Sequence, residues 1–159
     1  IRQGLAMTIL GIVIPCFNEE EVLPETTQRI SALLARLVET DKISPESRIW
    51  FVDDGSSDAT WSLIQEQIAQ GLPVAGIKLS RNRGHQNALL AGLFRAEGDV
   101  LISIDADLQD DINVIEDMMD CYHKGCDIVY GVRKRRSTDS FFKRWTAETF
   151  YRLIAVFGA

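Results

Sequence analysis

Each strand-like run of this chain stops at a polar or charged cluster and is followed by a stretch of helical periodicity. That repeat constrains the fold more than any other feature. "TILGIVIPC" (8–16), "SRIWFVDD" (47–54), "VAGIKLS" (74–80), "DVLISIDAD" (99–107) and "DIVYGVR" (127–133) read as five strands. Between them, Ile30, Leu33, Leu34, Leu37 and Val38 fall at helical spacing behind Pro24, a favoured first-turn residue. Trp61, Ile64 and Ile68 share a helix face that Ser56 to Asp58 can cap. "GHQNALLAGLFRA" (84–96) gives a third helix with Leu89, Leu93 and Ala96 as core. Ile115, Met118, Met119 and Tyr122 mark a fourth. Strands alternating with helices of this length predict an α/β fold, a mostly parallel sheet flanked by helices. No repeat or low-complexity linker interrupts residues 1–159, which read as a single domain.

The clusters Asn18-Glu19, Asp53-Asp54, Arg81-Asn82-Arg83 and Asp105-Asp107 each close a strand. In a parallel sheet those positions share the carboxyl edge, where open α/β folds bind ligands. "LISIDADLQDD" is the densest of them. Ala106 lets the chain turn between two aspartates, so both carboxylates can face one site. Carboxylates that close repel each other unless a cation shares their charge. Hard oxygen donors suit Mg²⁺ or Mn²⁺, with Asp105 and Asp107 as ligands and Gln109 as a further carbonyl oxygen. The plainer alternative is a solvated, capping turn, a role expected of Asp110 or Asp111. "DDGSSD" likewise has turn chemistry throughout, with Gly55 structural, although a carboxylate of Asp53 or Asp54 can also accept a ring N–H from a nucleobase. Arg81, Arg83 and His85 stand beside a helix start, which favours anions.

Composition sets limits. With 46% hydrophobic and 25% charged residues the chain suits a folded domain, not disorder or a coiled coil. Three cysteines without CxxC spacing read as core residues of a reduced protein. No apolar run approaches the roughly 18 residues of a membrane span. The N-terminus lacks signal-peptide character. The net charge of −6 conceals an asymmetry: residues 1–132 carry 10 Lys/Arg against 21 Asp/Glu, residues 133–159 carry 7 against 2. An acidic body suits a cation, and a basic tail suits an anionic surface.

"IVIPCFNEEE" (12–21), "VDDGSSDAT" (52–60), "LSRNRGHQNALLAGL" (79–93), "DADLQD" (105–110) and "YGVRKRR" (130–136) occur in the order of the motifs of family-2 glycosyltransferases. From about residue 8 onward the chain resembles that family, and more narrowly its polyprenyl-phosphate branch, the dolichol-phosphate mannose synthases and bactoprenol glucosyltransferases. The resemblance implies a Rossmann-like GT-A fold, a UDP- or GDP-sugar donor and a divalent metal. It places Pro15, Phe17, Glu19, Val52, Asp53 and Asp54 at the nucleotide. Asp105, Asp107 and Gln109 fall at the metal positions, with Ala106 among them, and Arg133 and Arg144 near phosphate. Two departures stand out. Phe17 replaces a frequent tyrosine, and Asp111-Ile112 replaces a frequent pair of prolines.

The implied reaction is inverting displacement of a nucleoside diphosphate, with Asp105, Asp107 and Arg133 stabilising the leaving group. A polyprenyl or dolichyl phosphate is the expected acceptor, and an ionised phosphate needs no strong base; none is assigned. Phe142, Trp145, Phe150, Leu153, Val156 and Phe157 share a helical face behind "RKRR". A helix over 139–157 can therefore lie in a membrane interface or pack against the core. The reading places the protein at the cytoplasmic face of a membrane, anchored beyond a catalytic domain that is incomplete at residue 159. It has no nucleic-acid partner, and a homo-oligomer stays open. The rivals are transfer to a sugar hydroxyl in polysaccharide or cell-wall synthesis, a donor-binding domain without catalysis, and a phospho-receiver module. The residues do not select the sugar.

Overall fold

A computed structural model describes residues 7–107, 109 and 111–131. The expectations for Arg133, Arg144 and the 139–157 helix lie outside these residues. The elements run β1 (Leu10–Cys16), α1 (Leu23–Glu39), β2 (Arg48–Asp53), α2 (Thr60–Ala69), β3 (Val74–Lys78), α3 (His85–Arg95), β4 (Val100–Ser103) and α4 (Val114–His123). The four strands pair in parallel in the order β3-β2-β1-β4. Cys16 stands opposite Asp53, and Val13 opposite Ser103. The α/β expectation holds.

Helices on both faces explain why the strands are continuously apolar. Leu10, Ile12, Ile14, Ile49 and Phe51 point into the larger core with Ile30, Leu34 and Leu37 of α1, Ile64 of α2, and Ile115 and Met119 of α4. On the other face Val13 and Val52 pack under Ala88 of α3. Gly92 permits that contact, because a Cβ there would sit 2.4 Å from Val13 Cγ1. Pro24 lies in the first turn of α1.

Several expectations change. β4 ends at Ser103, and Ile104 makes one last backbone bond to the Val13 carbonyl before the chain turns through the acids. Residues 127–131 form no strand, and Ile128 is 72% exposed. Residue composition favours extension, but a strand also needs a partner for its backbone groups, which composition does not encode. Leu93 and Ile68 face solvent, so the helical faces are narrower than their spacing implied. Of the cysteines only Cys16 is buried; Cys121 is half-buried and Cys126 exposed.

Strand order locates the site. Successive strands lead from β1 out to β3, then the chain crosses back to place β4 on the other side of β1. Ligands of open parallel sheets bind at such a reversal, outside the carboxyl ends of the two strands. Phospho-receiver modules have the order 2-1-3-4-5, so this sheet excludes them.

Candidate functional site

Hydrogen bonds lock the loops after β1 and β2 together. Asn18, in a left-handed conformation at φ 54°, donates its amide to Ser56 Oγ and accepts from the Ser57 amide. The Glu19 amide donates to Thr60 Oγ1, and the Glu20 amide to Asp58 Oδ2. Glu20 Oε2 accepts from Ala59 N–H in return. Asp58 also accepts from the Thr60 amide, so it shapes the turn into α2 from one residue ahead of the N-cap, which is Ala59 and not one of the expected Ser56 to Asp58. Desolvation is the largest single influence on its carboxyl and raises it, but these bonds together outweigh it and hold the group below the usual range.

Asp53 and Asp54 are both buried. Asp53 Oδ1 accepts from the Ser56 amide, whereas Oδ2 has no partner among the described residues. Asp54 spends both oxygens on the loop before α3, accepting from Arg83 N–H at 2.7 Å and Gly84 N–H at 2.8 Å. Gly55 lets that loop approach: a Cβ there would lie 2.6 Å from the Arg81 carbonyl carbon. One buried carboxylate thus fixes where α3 begins.

The acid turn is anchored from α1. Thr26 Oγ1 donates to the Ala106 carbonyl at 2.6 Å, with both residues buried. That bond fixes the residue between the aspartates, leaving Asp105 and Asp107 exposed on either side of it. Both line one cavity of about 380 Å³ with Pro15, Glu19, Ala106 and His85. Two neighbouring hollows share Pro15 and His85. One adds Leu89, Ser103 and Ile104, and the other Cys16, Phe17, Asp54 and Asn82 among its walls. Asp107 Oδ1 accepts from the Gln109 amide, and His85 Nε2 stands 3.7 Å from Asp105 Oδ1. Burial raises the Glu19 carboxyl above its usual range, and the charges of Asp107 and Asp58 raise it further.

This donor set fits a divalent cation of the Mg²⁺ type. No three acidic, histidine or cysteine side chains converge among the described residues. Mg²⁺, however, takes one or two carboxylates and completes its shell with phosphate and water. Neither aspartate is paired with Arg or Lys among the described residues, and the charge of Asp107 is felt at Glu19.

The structure therefore gathers Pro15, Phe17, Glu19, Asp54, Asp105, Ala106 and Asp107 around hollows that share walls. It does not bring Val52 there, because that side chain is packed beneath α3. Asp53 lies below the surface, and Arg81 is exposed but off the cavity walls. Gln109 meets the turn through its backbone amide. Asp111 accepts from the Asn113 amide just before α4, so it shapes the turn into that helix. Thr26 was not foreseen, and His85 emerges as a wall of all three hollows.

The family model for glycosyl transferase family 2 matches residues 11–157. An uncharacterized glycosyltransferase, YkoT of Bacillus subtilis, is 55% identical over 94% of this chain and 45% of its own length. A bactoprenol glucosyl transferase of Shigella phage SfV is 41% identical over 91% and 45%. The chain thus spans less than half of these curated relatives. Among solved structures, S. aureus TarS 1-349 superposes with a TM-score of 0.57 at 22% identity, over 85% of this chain and 40% of TarS. The mannosyltransferase PcManGT of Pyrobaculum calidifontis, solved with GDP-Man and Mn²⁺, gives 0.52 at 22% identity, over 69% and 30%.

Proposed function

The chain belongs to glycosyl transferase family 2, with a GT-A fold, and from that premise we propose that it carries the donor site of an enzyme moving a sugar from a UDP- or GDP-sugar to a polyprenyl phosphate. The observation that carries this reading is the shared cavity of Asp105 and Asp107, opposite Pro15 at the β1/β4 reversal. The bactoprenol glucosyl transferase at 41% identity supports the lipid acceptor.

Asp105 and Asp107 would hold Mg²⁺ or Mn²⁺; such an ion, when bound, neutralises charge on a departing diphosphate. The residues themselves supply placement. Thr26 keeps the acid turn in register with α1, while Pro15 and Phe17 form an apolar wall beside it. Glu19, repelled by Asp107, gains from any cation that enters. Arg133 and Arg144 complete the phosphate contacts in this reading. The acceptor phosphate is ionised near neutral pH, so direct inverting displacement proceeds without a strong base from this chain. A lipid acceptor would put the protein at the cytoplasmic face of a membrane; no helix of the described residues is long and apolar enough to cross one.

The test is transfer by the full-length protein from labelled UDP- and GDP-sugar panels to polyprenyl phosphate, with Mn²⁺ and with chelator. One donor is expected to label the lipid, and chelator to abolish it. Labelling of a saccharide hydroxyl and never the lipid overturns the acceptor. Metal-dependent donor binding without any transfer favours a non-catalytic domain.

A further inference from the structure

We propose that His85 is a substrate-contacting residue whose imidazole N–H donates a hydrogen bond to a phosphoryl oxygen in the site. The proposal rests on the function proposed above, because only that reading brings phosphoryl groups here. What carries it is the composition of the walls. Pro15 and His85 are common to the walls of all three hollows. The other polar walls of the largest are the carboxylates Glu19, Asp105 and Asp107. Asn82 is the only other described wall residue with a side-chain N–H, and it lines one hollow alone. Phosphoryl oxygens entering among carboxylates need donors, and a cation satisfies only those it touches.

The ring is placed for that use. Asp54 holds the Arg83 and Gly84 amides, and Gly84 takes φ 87°, a left-handed conformation that turns the chain directly into α3 at His85. The buried carboxylate thereby fixes the backbone from which the imidazole projects. Nε2 lies 3.7 Å from Asp105 Oδ1, beyond hydrogen-bond length. The ring is near the metal-binding position without being tied to it, and it forms no hydrogen bond with the described residues. A half-exposed surface histidine is the plainer description, but it gives no reason for one ring to border all three of these hollows.

Two phosphoryl sources fit, the donor diphosphate and the acceptor phosphate, and the experiment separates them. Full-length wild type, His85→Ala and His85→Gln are compared by calorimetry with UDP and GDP in Mn²⁺, and by KM for polyprenyl phosphate. Loss of the N–H is expected to weaken one ligand about ten- to a hundredfold, the range of hydrogen bonds to charged groups. His85→Gln, which keeps an N–H, should recover part of it. A weaker nucleotide Kd places the contact on the donor; a raised lipid KM with unchanged nucleotide binding places it on the acceptor. Unchanged values in His85→Ala overturn the proposal. So does equal loss in both variants with a lowered Tm, which marks a structural role. Should wild type bind nucleotide but transfer nothing, the functional reading fails and the nucleotide arm alone decides His85. Should it bind neither ligand, both fall.

Discussion

Thr26 commits its hydroxyl to a carbonyl 80 residues away, and that single bond holds the turn between the two aspartates. Thr26→Val keeps the shape and leaves the Ala106 carbonyl buried without a donor, at a cost of about 1–3 kcal/mol. Urea denaturation should show that loss, and Mn²⁺ titration a weaker site, with Thr26→Ser restoring both. If Val matches wild type in both, the bond does not position the turn. The aspartates themselves were legible in the sequence, since two acids closing an apolar run have few structural uses. Thr26 was not, because its partner is a main-chain atom and no spacing encodes it. The cysteines teach the same limit. Small residues without a pattern carry no burial signal, and the structure separates Cys16 from Cys126. Burial, then the nearby Asp53 and Glu19, push the Cys16 thiol up to about 12, so at pH 8 almost no reactive thiolate exists there. Alkylation at pH 8 followed by mass spectrometry should modify Cys126 in the folded protein and Cys16 only in denaturant; rapid labelling of Cys16 would contradict its placement.

At the scale of elements, β1 to β4 and α1 to α4 of the described residues were legible because each strand is a short apolar run, fully buried in β1 and nearly so in β2, and apolar residues recur at helical spacing between them. What failed depends on partners. The described part of the expected fifth strand, residues 127–131, is not extended into a strand, residues 132–133 lying outside the described ones, and Leu93 and Ile68 continue helical stripes past the area their neighbours cover. Gly92 shows the converse, a position whose importance periodicity hides. Alanine there improves intrinsic helix propensity by about 1 kcal/mol. Its Cβ would nevertheless meet Val13 Cγ1 at 2.4 Å and Val52 Cγ2 at 2.7 Å, both on buried strands. Overpacking of this kind costs about 1–3 kcal/mol. Gly92→Ala is therefore expected to be net destabilising by up to about 2 kcal/mol in chemical denaturation, with faster amide exchange in α3. A stabilised variant would mean that α3 rides higher on the sheet than the structure places it.

Taken whole, the molecule concentrates acids on the rim where its ligands would enter, and that arrangement opposes its own stability. Asp58, Asp111 and Asp120 have carboxyls held below their usual range by hydrogen bonds, so their stabilisation is present above the ordinary aspartate value of 3.8 and is lost as pH falls through their lower folded values. Glu19 runs the other way. Its folded pKa lies above the ordinary glutamate value of 4.5, chiefly through burial and then through Asp107, so the native state holds its proton more tightly than the unfolded chain. Stability must then decline as pH rises from 4.5 through that raised value, and the deficit persists at neutral pH. Glu19→Gln removes the charge while keeping the shape. At pH 4 the variant and wild type should melt together; by pH 7, without metal, the variant should melt higher, by the equivalent of under about 1 kcal/mol, since Glu19 is partly solvated. A divalent cation held by Asp105 and Asp107 would cancel the repulsion, so Mn²⁺ with nucleotide should stabilise wild type more than the variant and narrow the gap. Thermal melts across pH 4–8, with and without Mn²⁺ and UDP or GDP, measure all of this. Melting curves that stay parallel across that range, in both conditions, would show that Glu19 does not share the field of the acid turn and that the charged rim is not one electrostatic unit.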